Sequence, residues 1–418
     1  MTHDPVGWLY GLQSHGVKLG LDGIRVLLAE LDHPERTCPV ALVGGTNGKG
    51  STVAMMDAML EAHGVRAGLY TSPHLVRPNE RIRIAGADIG GAALDRALEV
   101  VREACARGLA GESLASHPSF FEVMTAAALW SFRETRVDAV VLEVGLGGRL
   151  DATNAADPEV SAIVSVDLDH VATLGDTLEA IAREKAAIAR AGRPLISGIA
   201  HPEAIDVVRA RCLEIGASFI DARATDLPPG VRLALEGAHQ RHNARVAVAA
   251  FTSFAARLGV GVDAAAVRRG LENARWPGRL QLVPGAPSVL LDGAHNAAGT
   301  EALAAHLAYR AGPKPVLLFG AMADKDLAGM IAPLAPHVAA LVATRPAVAR
   351  AAEPEPLAEV ARGAGLPAWV EPVPERALER ARSLAGPGGL VLVAGSLYLV
   401  GEILAALETG DVPGPVPM

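Results

Sequence analysis

From residue 39 to about residue 220, short apolar runs rich in β-branched residues alternate with longer Ala- and Leu-rich stretches whose apolar positions recur every three or four residues. That alternation predicts strand–helix–strand units and a mostly parallel sheet. The runs place strands at residues 40–43, 66–70, 139–144, 161–166 and 194–197, and helices at 51–63, 94–107, 121–133, 178–191 and 202–215. Two more helices are expected at 243–258 and 264–273. Pro277, Gly278, Pro284, Gly285 and Pro287 then break the pattern, so residues 276–287 read as an interdomain linker. A second alternating series follows, with strands at 289–291, 316–319, 341–344 and 390–394. The expected architecture is α/β: a mostly parallel, doubly wound sheet in an N-terminal domain over residues 1–283, and a smaller Rossmann-like domain over residues 284–418.

Length and composition support two cores. A chain of 418 residues exceeds what one core usually serves, and half of its residues are apolar. A formal net charge of −8 argues against nucleic acid or an anionic membrane as partner, since both demand a basic face. Cys38, Cys105 and Cys212 are odd in number and lack CxxC spacing, which disfavours a disulfide framework or a zinc site and suits a reducing cytoplasm. No window reaches the ~18 apolar residues of a membrane span, and no basic-then-apolar leader opens the chain. Only five lysines (Lys18, Lys49, Lys185, Lys314 and Lys325) stand among 38 basic residues. Where Arg supplies the general surface charge, a lysine marks a place that needs a compact or titratable amine.

In doubly wound sheets ligands collect at the carboxyl ends of strands, so the polar residues that follow each strand carry the chemistry. After residues 40–43 comes GGTNGKGST. Its glycines let backbone N–H groups close around an anion, and the helix that follows adds the positive end of its dipole. Lys49 would reach the outer phosphates and Ser51 would face a magnesium ion. Gly50 separates the lysine from the hydroxyl, a departure from the general GxxxxGK[ST] loop. Later strand ends supply Ser72, Glu143 and His170, a set that suits magnesium with phosphate and water oxygens completing its shell. By spacing alone His170 reads as a hydrogen-bonding group, Lys185 as part of a solvated charged face, and Phe120 and Phe121 as core. Asp292, at the end of a second-domain strand, reads either as a cap-like residue or as a group facing a nucleotide. Arg279 is placed to reach phosphate.

Taken in order, GGTNGKGST, TSPHL, SFFE, LEVGLGGRLDATN, LDH, REKA, HQRHNA, PGRLQ, DGAHN and DKD resemble folylpolyglutamate synthase/dihydrofolate synthase, a branch of the Mur ligase superfamily. The resemblance spans nearly the whole chain, and the inserted Gly50 matches that superfamily's own phosphate loop. It implies that Asn47, Gly48, Lys49, Gly50, Ser51, Thr52, Asn243, Arg279 and Asp292 contact ATP. Ser51, Ser72, Glu143 and His170 would bind Mg2+, and Lys185 would be carbamylated. Ser119, Phe121, Arg149 and Asp151 would bind substrate, Phe121 and Asp151 near the pterin. The implied reaction activates a folate or dihydropteroate carboxylate as an acyl phosphate, which the amine of L-glutamate attacks. Lys49 and Lys185 would be catalytic, with His295 or solvent taking the proton. The expected enzyme is cytoplasmic and monomeric. A monovalent cation, the choice between the two activities, and two alternatives stay open: a cell-wall UDP-sugar ligase and a nucleotide switch without ligase activity.

Overall fold

The computed structural model describes residues 4–15 and 20–409, so Lys18 lies outside it. The chain divides into two compact units. The first holds most of the residues up to Arg275; the second holds Trp276 onward together with His74–Arg77 and Leu235–His239.

The first unit is built on eight strands: β1 (Val40–Gly44), β2 (Ala67–Tyr70), β3 (Ile82–Ile84), β4 (Ala87–Asp88), β5 (Ala139–Glu143), β6 (Val160–Ile163), β7 (Pro194–Ser197) and β8 (Ser218–Asp221). Their order across the sheet is β4-β3-β2-β5-β1-β6-β7-β8. The strands from β2 to β8 run parallel, whereas β3 and β4 form an antiparallel edge. Every residue of β1 is buried, as expected of a central strand covered on both faces, and each fully buried Val or Leu contributes roughly 1.5–3 kcal/mol. The chain leaves β1 toward β2 on one side and later returns from β5 to β6 on the other. This reversal opens the crevice where doubly wound sheets bind ligands, and it sets the loops after β2, β5, β1 and β6 side by side.

The second unit has six strands: β9 (Gln281–Val283), β10 (Ser288–Leu291), β11 (Val316–Phe319), β12 (Ala340–Ala343), β13 (Ala368–Val370) and β14 (Leu390–Ala394). They lie in the order β13-β12-β11-β14-β10-β9, all parallel except β9. Apolar layers cover both faces, one around Leu303, Phe319 and Leu357, the other around Val393, Leu399 and Ile403.

The strand positions expected from the sequence agree with these to within a few residues, β3, β4, β8, β9 and β13 were not expected, and several element boundaries differ instructively. Residues 276–287, read as linker, carry β9, which pairs with β10 at the sheet edge, where a neighbouring proline costs no ladder bond. The run 161–166 stops pairing at Ile163, because Ser165 and Asp167 turn away to hold the phosphate loop. The helix expected over 178–191 ends at Ala186, and the one expected from Asn243 begins at Ala238. Among the described residues no helix is long and apolar enough to cross a membrane. The three cysteines are unpaired.

Candidate active site

The loop after β1 is shaped by glycine and fastened from outside. Gly48 has φ +82° and begins the helix Lys49–Ala62; a Cβ there would collide with Asn243 Oδ1 and lie 2.9 Å from Val164 Cγ1. Only glycine combines that backbone angle with so close an approach. The Lys49 ammonium donates to the carbonyls of Gly45 (3.1 Å) and Thr46 (3.2 Å), so the loop curls around its own lysine. The far side is held by the segment after β6. Ser165 Oγ accepts from Asn47 N at 2.9 Å, and Asp167 Oδ2 accepts from Ser165 Oγ at 2.9 Å and Asn47 Nδ2 at 3.3 Å.

Ser51 and Thr52 are buried at the first turn of the helix, and the Thr52 hydroxyl has no hydrogen-bond partner. Ser51 Oγ accepts from Gln240 Nε2 at 3.2 Å, while Gln240 Oε1 accepts from Asn243 Nδ2 at 3.0 Å. Gln240 is 1 % exposed, and sequence reasoning passed over it. The signal was present, since Gln240 stands inside the HQRHNA run that contains Asn243.

On the neighbouring strand ends, Glu143 Oε2 accepts from Ser72 N at 3.2 Å, a contact set by the parallel β2–β5 register. His170 sits in the left-handed region at φ 51°; its N–H donates to Asp169 Oδ1 at 2.8 Å, and its half-exposed ring lies 4.0 Å from the same oxygen. Among the described residues no three His, Cys, Asp or Glu side chains converge as a metal cage. The expected magnesium set contains only Glu143 and His170 of those types, so hydroxyls and ligand oxygens would have to complete it. This donor chemistry, beside an unpartnered buried hydroxyl and a loop without room for a Cβ, fits a magnesium nucleotide.

Lys185 departs most from its spacing. In the helix Leu178–Ala186 its neighbours Arg183 and Glu184 reach toward solvent, while Lys185 is only 3 % exposed. The solvated-face reading is therefore corrected: the helix turns this lysine inward. Burial lowers its pKa from 10.5 to about 7; Lys49 pushes the same way, and Asp169, Asp167 and Asp151 oppose. The glycine loop after β5 is tied to this helix: Arg149 N donates to Glu184 O at 2.9 Å, and its guanidinium meets Glu184 Oε1 at 3.0 and 2.9 Å.

Three expected substrate contacts also have structural duties. Ser119 caps the helix Phe120–Thr135 in a reciprocal box with Glu122. Asp151 accepts from Leu146 N at 2.9 Å and Thr153 N at 3.0 Å, which pins the loop, while burial pushes its carboxyl up. Phe121 is half-buried, with its ring centroid 6.0 Å from that of Tyr70.

In the second unit, Asp292 closes β10 and accepts from Leu280 N (3.0 Å) and Ala294 N (2.9 Å), one bond to each oxygen. Arg279 lies against Gly293, where a Cβ would come within 2.6 Å of its Nη1. The His295 ring meets the Gly293 carbonyl through Nδ1 at 2.8 Å. A carbonyl only accepts, so Nδ1 carries a proton and donates this bond. His239 joins this group: burial lowers its pKa, Asp292 opposes, and Arg279 and His306 add to the lowering. Sequence reasoning did not connect His239 with Asp292, because the two stand in different segments.

Residues 43–196 match the Mur ligase middle domain, and residues 278–397 match the Mur ligase, glutamate ligase domain. A probable bifunctional folylpolyglutamate synthase/dihydropteroate synthase of Haloferax volcanii is 40% identical over 98% of this chain, which spans only about half (51%) of that protein. A Bacillus subtilis dihydrofolate synthase/folylpolyglutamate synthase is 35% identical over 97% of this chain and 99% of its own length. A solved bifunctional folylpolyglutamate synthase/dihydrofolate synthase with Mn, AMPPNP and L-glutamate bound superposes with a TM-score of 0.85 at 31% identity, over 97% of this chain and 98% of that one. Matched by both domain models and by a full-length relative at 35% identity, and sharing the fold of a solved member at 31% identity, this chain belongs to the folylpolyglutamate synthase/dihydrofolate synthase family of Mur ligases.

Proposed function

We propose that this protein is an ATP-dependent ligase that joins L-glutamate to the carboxylate of tetrahydrofolate, and of dihydropteroate as well. The observation that carries the reading is the buried Lys185 in electrostatic contact with the phosphate-loop Lys49. A nucleotide-binding loop alone suits many proteins; a neutral-prone amine beside it suits a site that handles a transferring phosphoryl group and a second carboxylate.

A carboxylate is a poor electrophile and must be activated before an amine can displace oxygen from it. The γ-phosphoryl group of ATP passes to the substrate carboxylate, ADP leaves, and the acyl phosphate is then attacked by the glutamate amine with loss of phosphate. Lys49 and the backbone N–H groups of the loop stabilise charge on the transferring group. Ser51, Ser72, Glu143 and His170 would hold a magnesium ion, which neutralises charge on the phosphate oxygens when bound. Gln240 orients the Ser51 hydroxyl, and Asp167 holds Asn47 in place. The incoming amine must lose a proton, and we assign its uptake to His295, held through Nδ1 on the Gly293 carbonyl, or to solvent. Arg279 and Asp292 are assigned to ATP, Ser119 and Arg149 to substrate, and Phe121 and Asp151 to its pterin. We place the protein in the cytoplasm, as a monomer.

Carbamylation of Lys185 belongs to the same proposal. Only the neutral amine adds CO2, and burial makes that form abundant. Lys185→Ala is expected to lose activity severely and to recover part of it with short carboxylic acids; without rescue, the carbamate is unsupported. The reaction itself is tested by phosphate release from ATP with glutamate plus tetrahydrofolate, dihydropteroate or a UDP-muramoyl acceptor, with Lys49→Ala as control. Turnover with the muramoyl acceptor alone would overturn the folate reading.

A further inference from the structure

The carboxyl edge of the second sheet carries a short strap that the mechanism above does not use. After β12 the chain runs back across the segment that follows β11. Ala323 N donates to Arg350 O at 2.9 Å, Ala352 N donates to Ala321 O at 2.9 Å, and Met322 and Ala351 form an antiparallel bridge. Met322, Val348 and Ala351 make a small buried apolar cluster against Tyr398, apart from the two main layers of this unit. The segment so clamped leads directly into Asp324, Lys325 and Asp326, and Lys325 N donates to Met322 O at 3.2 Å.

One side chain ties this strap to the body of the unit. Glu402, in the helix Leu397–Thr409, is 8 % exposed, and its Oε1 accepts from Ala347 N at 2.8 Å. Ala347 itself is exposed, so the bond reaches from a buried carboxyl to the base of a surface loop. The strap is also held by the edge bridge, the cluster of three buried residues and, at its start, a bond from Arg345 N to Pro372 O at 3.3 Å.

We propose that Glu402 is a positioning residue: its hydrogen bond to Ala347 anchors the strap over residues 345–352, and the strap in turn sets the Lys325-bearing segment at the ligand-binding edge of the second unit. The part concerning substrate rests on the ligase reading above, and on the match of residues 278–397 to the glutamate ligase domain, from which we take this unit to receive glutamate; the anchoring itself does not. A long carboxyl side chain is well suited here, since it reaches the strap from the second turn of its helix and needs only to accept one N–H. Burial pushes the Glu402 carboxyl up to about 7, against the Ala347 N–H, with Glu375 adding to the rise; the bond itself asks only for an accepting oxygen, which an amide also supplies. An amide of equal length should therefore substitute for it.

The test uses the full chain and two readouts. In Glu402→Ala, hydrogen exchange at the amides of Ala323, Ala347 and Ala352 is expected to accelerate, while amides of β10 and β14 stay protected. In steady-state assays the same variant is expected to raise KM for glutamate by about tenfold with KM for ATP within about twofold, and Glu402→Gln to restore both readouts. If Glu402→Ala does not fold, Ala347→Pro deletes the donor from the exposed end and should reproduce the exchange and KM changes. Unchanged exchange in the strap, or KM values for ATP and glutamate rising together, would overturn the proposal. If the wild-type protein showed no glutamate-dependent turnover, the ligase reading would fall, and the exchange measurement would still decide the anchoring.

Discussion

Replacing Lys185 by Met should make the protein more stable and inactive at once. The side chain is 3 % exposed, and its pKa falls from 10.5 to about 7. Because the folded-state value lies below the unfolded one, the unfolded chain binds more protons between those two values, so stability rises with pH across that window. Below about pH 7 the full penalty of a buried charge is present; it is relieved as pH climbs toward 10.5. At about pH 7.5, folding must strip a proton from an amine that would otherwise keep it, at a cost on the order of 4 kcal/mol at 1.36 kcal/mol per unit. Methionine has a similar length, carries no charge and packs well in apolar surroundings. Lys185→Met is therefore expected to raise the free energy of unfolding by up to about 4 kcal/mol at about pH 7.5, and to flatten its rise between pH 7 and 10. Urea titrations at a series of pH values measure both, and phosphate release measures the lost turnover. A variant less stable than wild type, with the same pH slope, would refute the burial argument. Carbamylation in the wild type would shrink the gain under CO2-rich buffer, so the titrations belong in degassed solution.

Gly48→Ala puts a Cβ onto Asn243 Oδ1 at φ +82°, and should abolish nucleotide binding in calorimetry while β1 and its neighbours remain folded by circular dichroism. Gln240→Leu removes the donor to Ser51 Oγ, and is expected to raise the magnesium concentration needed for half-maximal turnover by about tenfold; an unchanged requirement would make Gln240 a packing residue. Asp292→Asn leaves a single oxygen for two backbone N–H groups, so thermal unfolding should report a loss of about 1–3 kcal/mol even without ligand. No loss would mean that Asp292 is held for its charge alone.

Much of the fold was legible because the second unit and the centre of the first are parallel sheets, whose strands read as continuous apolar runs whatever their neighbours. The strands missed, β3, β4, β8, β9 and β13, are short edge or near-edge pieces with partly exposed residues, where that signal is weakest. Helix ends were misplaced where a tertiary partner decides them, as at Ala186, beyond which Ser161 Oγ donates to the carbonyl of Ile188 at 2.7 Å.

The sequence by itself determined the phosphate loop, the strand ends bearing Ser72, Glu143 and Asp292, and the family, because each rests on residues close together in the chain. Tertiary structure alone decided which polar atoms meet. It turned Lys185 inward although its local pattern reads as surface, joined Gln240 to Ser51 across 189 positions, and set Ser119 and Asp151 to capping and pinning their own segments. The physical reason is that burial and long-range hydrogen bonds depend on strand order and register, and neither is written in the spacing of any one motif.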